Sequence, residues 1–114
     1  MNERTTVKEN YEFRRLYRQG ASAVGRSMVL YARRNRRGCN RVGITVSAKI
    51  GKAVVRNRVR RRLREVFRLN AGEMKQGYDC ILVARGRAVY ASFPELQKQF
   101  LALLSELSLR EATE

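Results

Sequence analysis

Apolar and polar positions alternate along this chain with two different periods, and each change of period marks an element. Residues 10–19 (NYEFRRLYRQ) predict a short helix, with Phe13, Leu16 and Tyr17 on one face at i, i+3, i+4. Asn10 is the expected N-cap and Gly20 the residue that ends it. Residues 22–24 predict a short strand. Residues 27–33 (SMVLYAR) alternate as a second strand, with Met28, Leu30 and Ala32 on one side and Val29, Tyr31 and Arg33 on the other. Residues 34–40 (RNRRGCN) predict a polar turn that joins this strand to the next as a hairpin. In residues 41–47 (RVGITVS), Val42, Ile44 and Val46 form the face to be buried. Arg41, Gly43, Thr45 and Ser47 form a small, polar opposite face that no bulky side chain fills, so it is expected to be open to a ligand.

Residues 53–70 (AVVRNRVRRRLREVFRLN) give the strongest helical period, with Gly72 as the stop. Counted from Val55, the apolar residues Val55, Val59, Leu63 and Val66 span about 80° of the helical wheel, with Phe67 at about 120°. Arg56, Arg60, Arg64, Asn57, Arg68 and Arg61 fall between about 100° and 240°. One face is therefore core and the other almost wholly guanidinium. Arg62 falls inside the apolar sector, so it must snorkel out or meet Glu65 or another acid. Residues 78–85 (YDCILVAR) predict a buried strand. Residues 92–107 predict a helix opened by Ser92 and Glu95 at capping-box spacing, with Pro94 in the first turn and Leu96, Phe100, Leu103, Leu104 and Leu107 as its stripe. The order α-β-β-β-α-β-α predicts an α+β two-layer sandwich.

At 114 residues with 44% hydrophobic content, the chain suits a single domain with a real core, ordered over about residues 10–107. The charge changes the picture. There are 25 Lys+Arg against 10 Asp+Glu, a net charge of +15, and twenty of the cations are Arg. Fifteen of the 25 cations lie in residues 26–68, against Glu65 alone, so the excess marks a surface rather than a general bias. Arginine's planar fork suits phosphate and stacks on bases, which points to a nucleic acid.

The same composition excludes much protein-based chemistry. With no His there is no His general base, no Ser-His-Asp triad and no His-ligated metal. Cys39 and Cys80 are far apart and have no neighbouring ligands; they are expected to be reduced thiols, a disulfide between them being the alternative. No metal site on the protein is expected. Gly51-Lys52 lacks the rest of a phosphate-binding loop, since Val46 and Ala53 stand where Gly and Ser/Thr are required. The carboxylates form no catalytic pair. The polar N-terminus is not a signal peptide, and no apolar run approaches the roughly 20 residues that span a bilayer, so a cytoplasmic protein without a membrane partner is expected.

Uniform charge on one helical face costs a few tenths of a kcal/mol per i,i+4 pair, and a phosphate backbone relieves it. Two dockings compete: a DNA major groove and the surface of a folded RNA. Asn57, between Arg56 and Arg58, is placed to read a base edge in either. Phe13, Tyr17 and Tyr31, if they share a face with Thr45 and Ser47, supply the stacking surface and donors that suit single-stranded RNA.

The stretch 41–68, with VSAKIGKAVVRNRVRRRLRE at its centre, resembles the protein subunit of bacterial ribonuclease P. NYEFRRLYRQG, VLY and YDCILVAR extend the resemblance to about residues 10–107. It implies a fold like ribosomal S5 domain 2, with a left-handed β-α-β crossover. It implies a protein cofactor of an endoribonuclease whose catalyst is the RNA subunit. That RNA holds the Mg²⁺ ions, and the protein binds the catalytic RNA and the 5′ leader of precursor tRNA. By position, Lys52, Arg56, Asn57, Arg58, Arg60, Arg61 and Arg64 are the residues expected on the catalytic RNA. Phe13, Tyr17, Tyr31, Thr45, Ser47 and Lys49 are those expected at the leader. Tyr17 stands where the family often has Phe, and Ala48 where Lys is common. No obligate protein partner is evident. A structural RNA-binding protein or RNA chaperone and a DNA-binding regulator are the alternatives outside this family.

Overall fold

The computed structural model describes residues 6–111. The elements run α1 (Asn10–Gln19), β1 (Ala21–Val24), β2 (Met28–Arg34), β3 (Arg41–Thr45), α2 (Ala53–Asn70), β4 (Tyr78–Ala84) and α3 (Phe93–Glu106), in the order the periodicity predicts. The four strands form one sheet in the order β1-β2-β4-β3. β2 is antiparallel to both β1 and β4, and β3 is parallel to β4.

The expected hairpin between β2 and β3 does not form. β4 lies between them, and the polar turn 34–40 joins strands that are not neighbours. The physical reason is in β4 itself. Cys80 and Leu82 are buried on one face and Ile81 on the other, so the strand needs cover on both sides and takes a central place. α2 supplies the crossover that a parallel pair requires.

The main core lies between one sheet face and α2 with α3. Met28, Leu30, Ala32, Val42, Cys80 and Leu82 meet Val59, Leu63, Val66 and Phe67 of α2 and Leu96, Phe100 and Leu104 of α3. Each such large side chain stabilises by about 1.5–3 kcal/mol relative to exposure. Phe67 and Phe100 tie the two helices, ring to ring at 6.1 Å and 65°. Burial pushes the Cys80 thiol up, away from the reactive thiolate, with the neighbouring Asp79 charge acting in the same direction; Cys39 and Cys80 are both free.

The helix ends differ in detail from expectation. Glu9, not Asn10, caps α1, and its N–H reaches the Glu12 carboxylate at 3.4 Å. Ser92 does cap α3, accepting from the Glu95 N–H at 3.3 Å. α3 closes with Ser108 at φ 58; Leu109 N–H bonds to the Leu104 carbonyl at 2.7 Å and Ser108 N–H to that of Ser105 at 3.0 Å. This is a Schellman closure made with serine in place of glycine, and it turns Leu109 into the core.

α1 covers part of the opposite sheet face, where Leu16 packs with Val7 and Ile81. The expectation that Arg41 and Gly43 lie on an open face fails here. Arg41 is 6% exposed. Its Nε and Nη2 donate to Asp79 at 2.8 and 2.7 Å, and Nη2 also donates to Glu12 of α1. Arg41, the first residue of β3, faces Asp79, the second of β4, in the parallel register, which alternation within β3 alone does not reveal. At Gly43 the Phe13 ring closes the face: a Cβ there would come within 2.5 Å of the Phe13 Cζ.

Burial by itself would raise the Asp79 pKa, but hydrogen bonds from Arg41 and Asn35 outweigh it and hold the carboxyl below its usual range. A depressed folded-state pKa gives stability that is present above the unfolded value and lost as pH falls through the folded one. Asp79→Asn is therefore expected to cost about 3–5 kcal/mol at pH 7, because it leaves a buried guanidinium short of its partner. That cost should shrink as pH drops below about 4. Urea unfolding of both proteins at pH 7 and pH 3 checks this. A loss that is the same at both pH values would contradict it.

Candidate nucleic-acid interface

α2 sorts its residues as the helical wheel predicts. Val59, Leu63, Val66, Phe67 and Asn70 face the core, while Asn57, Arg58, Arg61, Arg64 and Arg68 are exposed and Arg60 is half-buried. Gly51 makes the turn that launches the helix. Its φ is +154°, and an added Cβ would sit 3.2 Å from the Val55 side chain. Lys52 is the exposed N-cap residue. Among the described residues, Arg68 is the α2 arginine with an acidic partner, Glu65 one turn back. Arg60 is oriented by the Asn57 side-chain oxygen at 3.0 Å. Asn57 is thereby half committed to its own helix, and its amide nitrogen is left for an incoming acceptor.

Two arginines serve the fold as well as the charge. Arg58 donates to the Val89 carbonyl at 2.9 Å. Arg62 finds neither Glu65 nor another acid; it donates to the Ala91 carbonyl at 2.6 Å. A backbone oxygen satisfies it where the apolar sector offers no carboxylate. Together they pin the segment after β4 against α2, a role that residue type and spacing do not signal.

Arg56 differs from both. It is half-buried, and its Nε is buried with no hydrogen-bond partner. A buried donor left unmade costs about 1–3 kcal/mol until an acceptor arrives.

The second set of expected residues divides in two. Tyr17, Tyr31 and Thr45 are brought together: the Tyr17 Oη lies 2.9 Å from the Thr45 Oγ1, and the Tyr17 ring meets the Tyr31 ring edge-on at 5.0 Å and 87°. Tyr17 keeps 41% of its surface exposed. The result is an aromatic surface rigidly propped on the sheet, with one ring open. Phe13 lies 6.5 Å from Tyr17 but packs against Gly43 and the small cluster around Leu16, so it is chiefly a wedge under α1. Ser47 and Lys49 lie beyond the end of β3, exposed, in and beside the single 3₁₀ turn Ala48–Ile50. β3 thus ends two residues before the expected boundary.

No group of three or more His, Cys, Asp or Glu able to hold a metal exists among the described residues. Glu12 and Asp79, which the fold brings to one place, are both taken up by Arg41. No described helix is long and apolar enough to cross a membrane.

Comparison with known proteins gives a consistent picture. The family described as Ribonuclease P matches residues 1–108. A ribonuclease P protein component from Natranaerobius thermophilus is 45% identical over 109 residues, covering 96% of this chain and 95% of its own. One from Thermoanaerobacter sp. is 46% identical over 108 residues, covering 95% and 93%. Among solved structures, a Staphylococcus aureus RNase P protein, a mutant with defective mRNA degradation activity, superposes with a TM-score of 0.85 at 30% identity, covering 94% of this chain and 91% of that one. The RNase P protein from Thermotoga maritima gives 0.81 at 28% identity, covering 89% and 96%. The chain belongs to the family of ribonuclease P protein components.

Proposed function

We propose that this chain contributes two separate RNA surfaces to ribonuclease P. The outward face of α2 docks on the catalytic RNA, and the aromatic surface between α1 and the sheet holds the 5′ leader of precursor tRNA. The observation that carries the reading is the α2 face, where Arg60, Arg61 and Arg64 have no acidic partner among the described residues. Their mutual repulsion is relieved when phosphates replace it and counterions are released.

The hydrolytic step belongs to the RNA subunit and the Mg²⁺ ions that it holds. No residue of this chain is assigned to metal binding, because its nearest carboxylates are consumed by Arg41. This chain's contribution is electrostatic and positional. Its guanidinium groups offset phosphate repulsion and so lower the Mg²⁺ requirement. Tyr17, propped by Thr45 and Tyr31, offers a preformed ring on which a leader base stacks, at about 1–3 kcal/mol per base. Ser47 and Lys49, exposed just past the end of β3, supply donors beside it, and Lys52 at the start of α2 extends the basic face toward the catalytic RNA. The assembly acts in the cytoplasm.

Single-turnover cleavage of a precursor tRNA by a bacterial ribonuclease P RNA at low Mg²⁺ tests the assignment. Adding the protein is expected to restore cleavage at the mature 5′ end. Tight binding of both RNAs with no change in rate would leave a structural RNA-binding role instead. Replacing Arg60, Arg61 and Arg64 by Gln should lower the salt slope of binding to the catalytic RNA by about 2–3, near one unit per lost phosphate contact. An unchanged slope would remove α2 from the interface.

Tyr17→Ala should weaken binding of leader-bearing precursor by about tenfold or more and leave mature tRNA unaffected. Equal losses for the two RNAs would assign Tyr17 to the fold alone.

A further inference from the structure

At the end of the sheet where β2 finishes and β3 and β4 begin lies an open groove of about 1160 Å³. Arg33, Arg34, Arg36 and Arg37 line one side, and Tyr11 and Arg15, one turn apart on α1, line the other. Thr45 and Ser47 belong to the opposite end of β3, and Lys52 opens α2; Tyr17 and Tyr31 do not line the groove, which adjoins their surface through Arg33, two residues along β2 from Tyr31.

Its electrostatics are one-sided. The two acids in its wall, Glu12 and Asp79, are both bound by Arg41 at the groove floor. None of the other groove arginines has an acidic partner among the described residues. The loop that carries them is built rather than loose. The Asn35 N–H bonds to the Gly77 carbonyl at 2.8 Å, and its side chain donates to Asp79 at 2.8 Å and to the Cys39 carbonyl at 3.0 Å. Its oxygen accepts from the Arg37 N–H at 2.9 Å, and Gly38 turns the chain at φ +73°. On the facing wall, Tyr11 is 61% exposed, an aromatic side chain left in water.

We propose that this groove is a second single-strand RNA site, in which a base stacks on Tyr11 while Arg15, Arg33, Arg34, Arg36 and Arg37 hold the flanking phosphates. Guanidinium groups carried along a held backbone, with an open ring beside them, are the combination that binds unpaired strands without sequence preference. The fold needs none of these arginine side chains for burial, since Arg41 and Asn35 satisfy the acids. The site lets one small domain grip unpaired RNA at both ends of its sheet. The proposal takes only the choice of polyanion from the ribonuclease P reading.

The chain contains no Trp, so a Tyr11→Trp substitution places a single indole in the groove. Titrating it with an octamer of uridine should quench its fluorescence saturably. Adding Arg34→Gln, Arg36→Gln and Arg37→Gln should weaken that binding and lower its salt slope by about 2, near 0.7 per lost single-strand contact. The same three charges removed elsewhere, by Arg26→Gln, Arg85→Gln and Arg87→Gln, should leave the slope unchanged. A separate Tyr17→Trp reporter should keep its midpoint when the groove arginines are removed. The site is overturned if indole fluorescence at position 11 does not respond while oligonucleotide anisotropy shows binding. It is also overturned if the two arginine triplets act equally, if the position-17 midpoint moves with the groove, or if the oligonucleotide does not bind at all. Because no catalytic RNA is present, these results are independent of whether the protein restores precursor cleavage.

Discussion

Arg41 is the point on which this architecture turns. It begins β3, lies beside the first residues of β4, and reaches Glu12 on α1, so one buried guanidinium joins three elements that are distant in sequence. Desolvating a charge is expensive, and the pairing repays it only with good geometry and full hydrogen bonding. Here Asp79 receives Arg41 through two donors, and Asn35 adds a third. The network holds α1 at one height over the sheet. Once it is held, Phe13 falls on Gly43, where no side chain larger than hydrogen fits, and Tyr17 comes within hydrogen-bond reach of Thr45. The aromatic surface is thus a consequence of a salt-bridged end of the sheet about a turn and a half away along α1.

The same economy separates structural from functional charge. Nearly every acid near the basic surfaces is already spent: Glu12 and Asp79 on Arg41, and Glu65 on Arg68. Arg58 and Arg62 each give one guanidinium nitrogen to a backbone carbonyl, and Arg58 stays exposed. What remains on α2 and along β2 is guanidinium with no acidic partner among the described residues. The core opposite, from Leu63 and Val66 to Phe100 and Leu104, supplies the burial that allows a helix to carry that repulsion. On the proposed function, this chain's contribution is the placement of positive charge and flat rings against RNA.

Much of this is readable in the residues, and the failures have specific causes. α2 is legible because a 3.6-residue period and a one-signed polar face agree along its whole length. The seven elements are legible for similar reasons. Strand order is not. The turn 34–40 has hairpin chemistry, and only the two-sided apolarity of Cys80, Ile81 and Leu82 signals that β4 takes the central place. Arg41 looks exposed by alternation, because its burial depends on the β3–β4 register and on an acid from α1. Topology brings Tyr17, Tyr31 and Thr45 into one surface, whereas Phe13, one turn earlier, packs against a glycine opposite. The run of arginines at 33–37 reads locally as a polar turn; its signal as a surface is the sign of the charge, not the spacing.

The central claim is that RNA meets this chain on the guanidinium face of α2, with the leader on the Tyr17 surface. A cryo-electron-microscopy reconstruction of the chain with a bacterial ribonuclease P RNA and bound precursor tRNA tests it most directly. Phosphates are expected within hydrogen-bond distance of Arg56, Arg60 and Arg61, and leader nucleotides over Tyr17 and Tyr31. A complex in which α2 faces solvent, or in which the leader runs clear of the α1 side of the sheet, would contradict it.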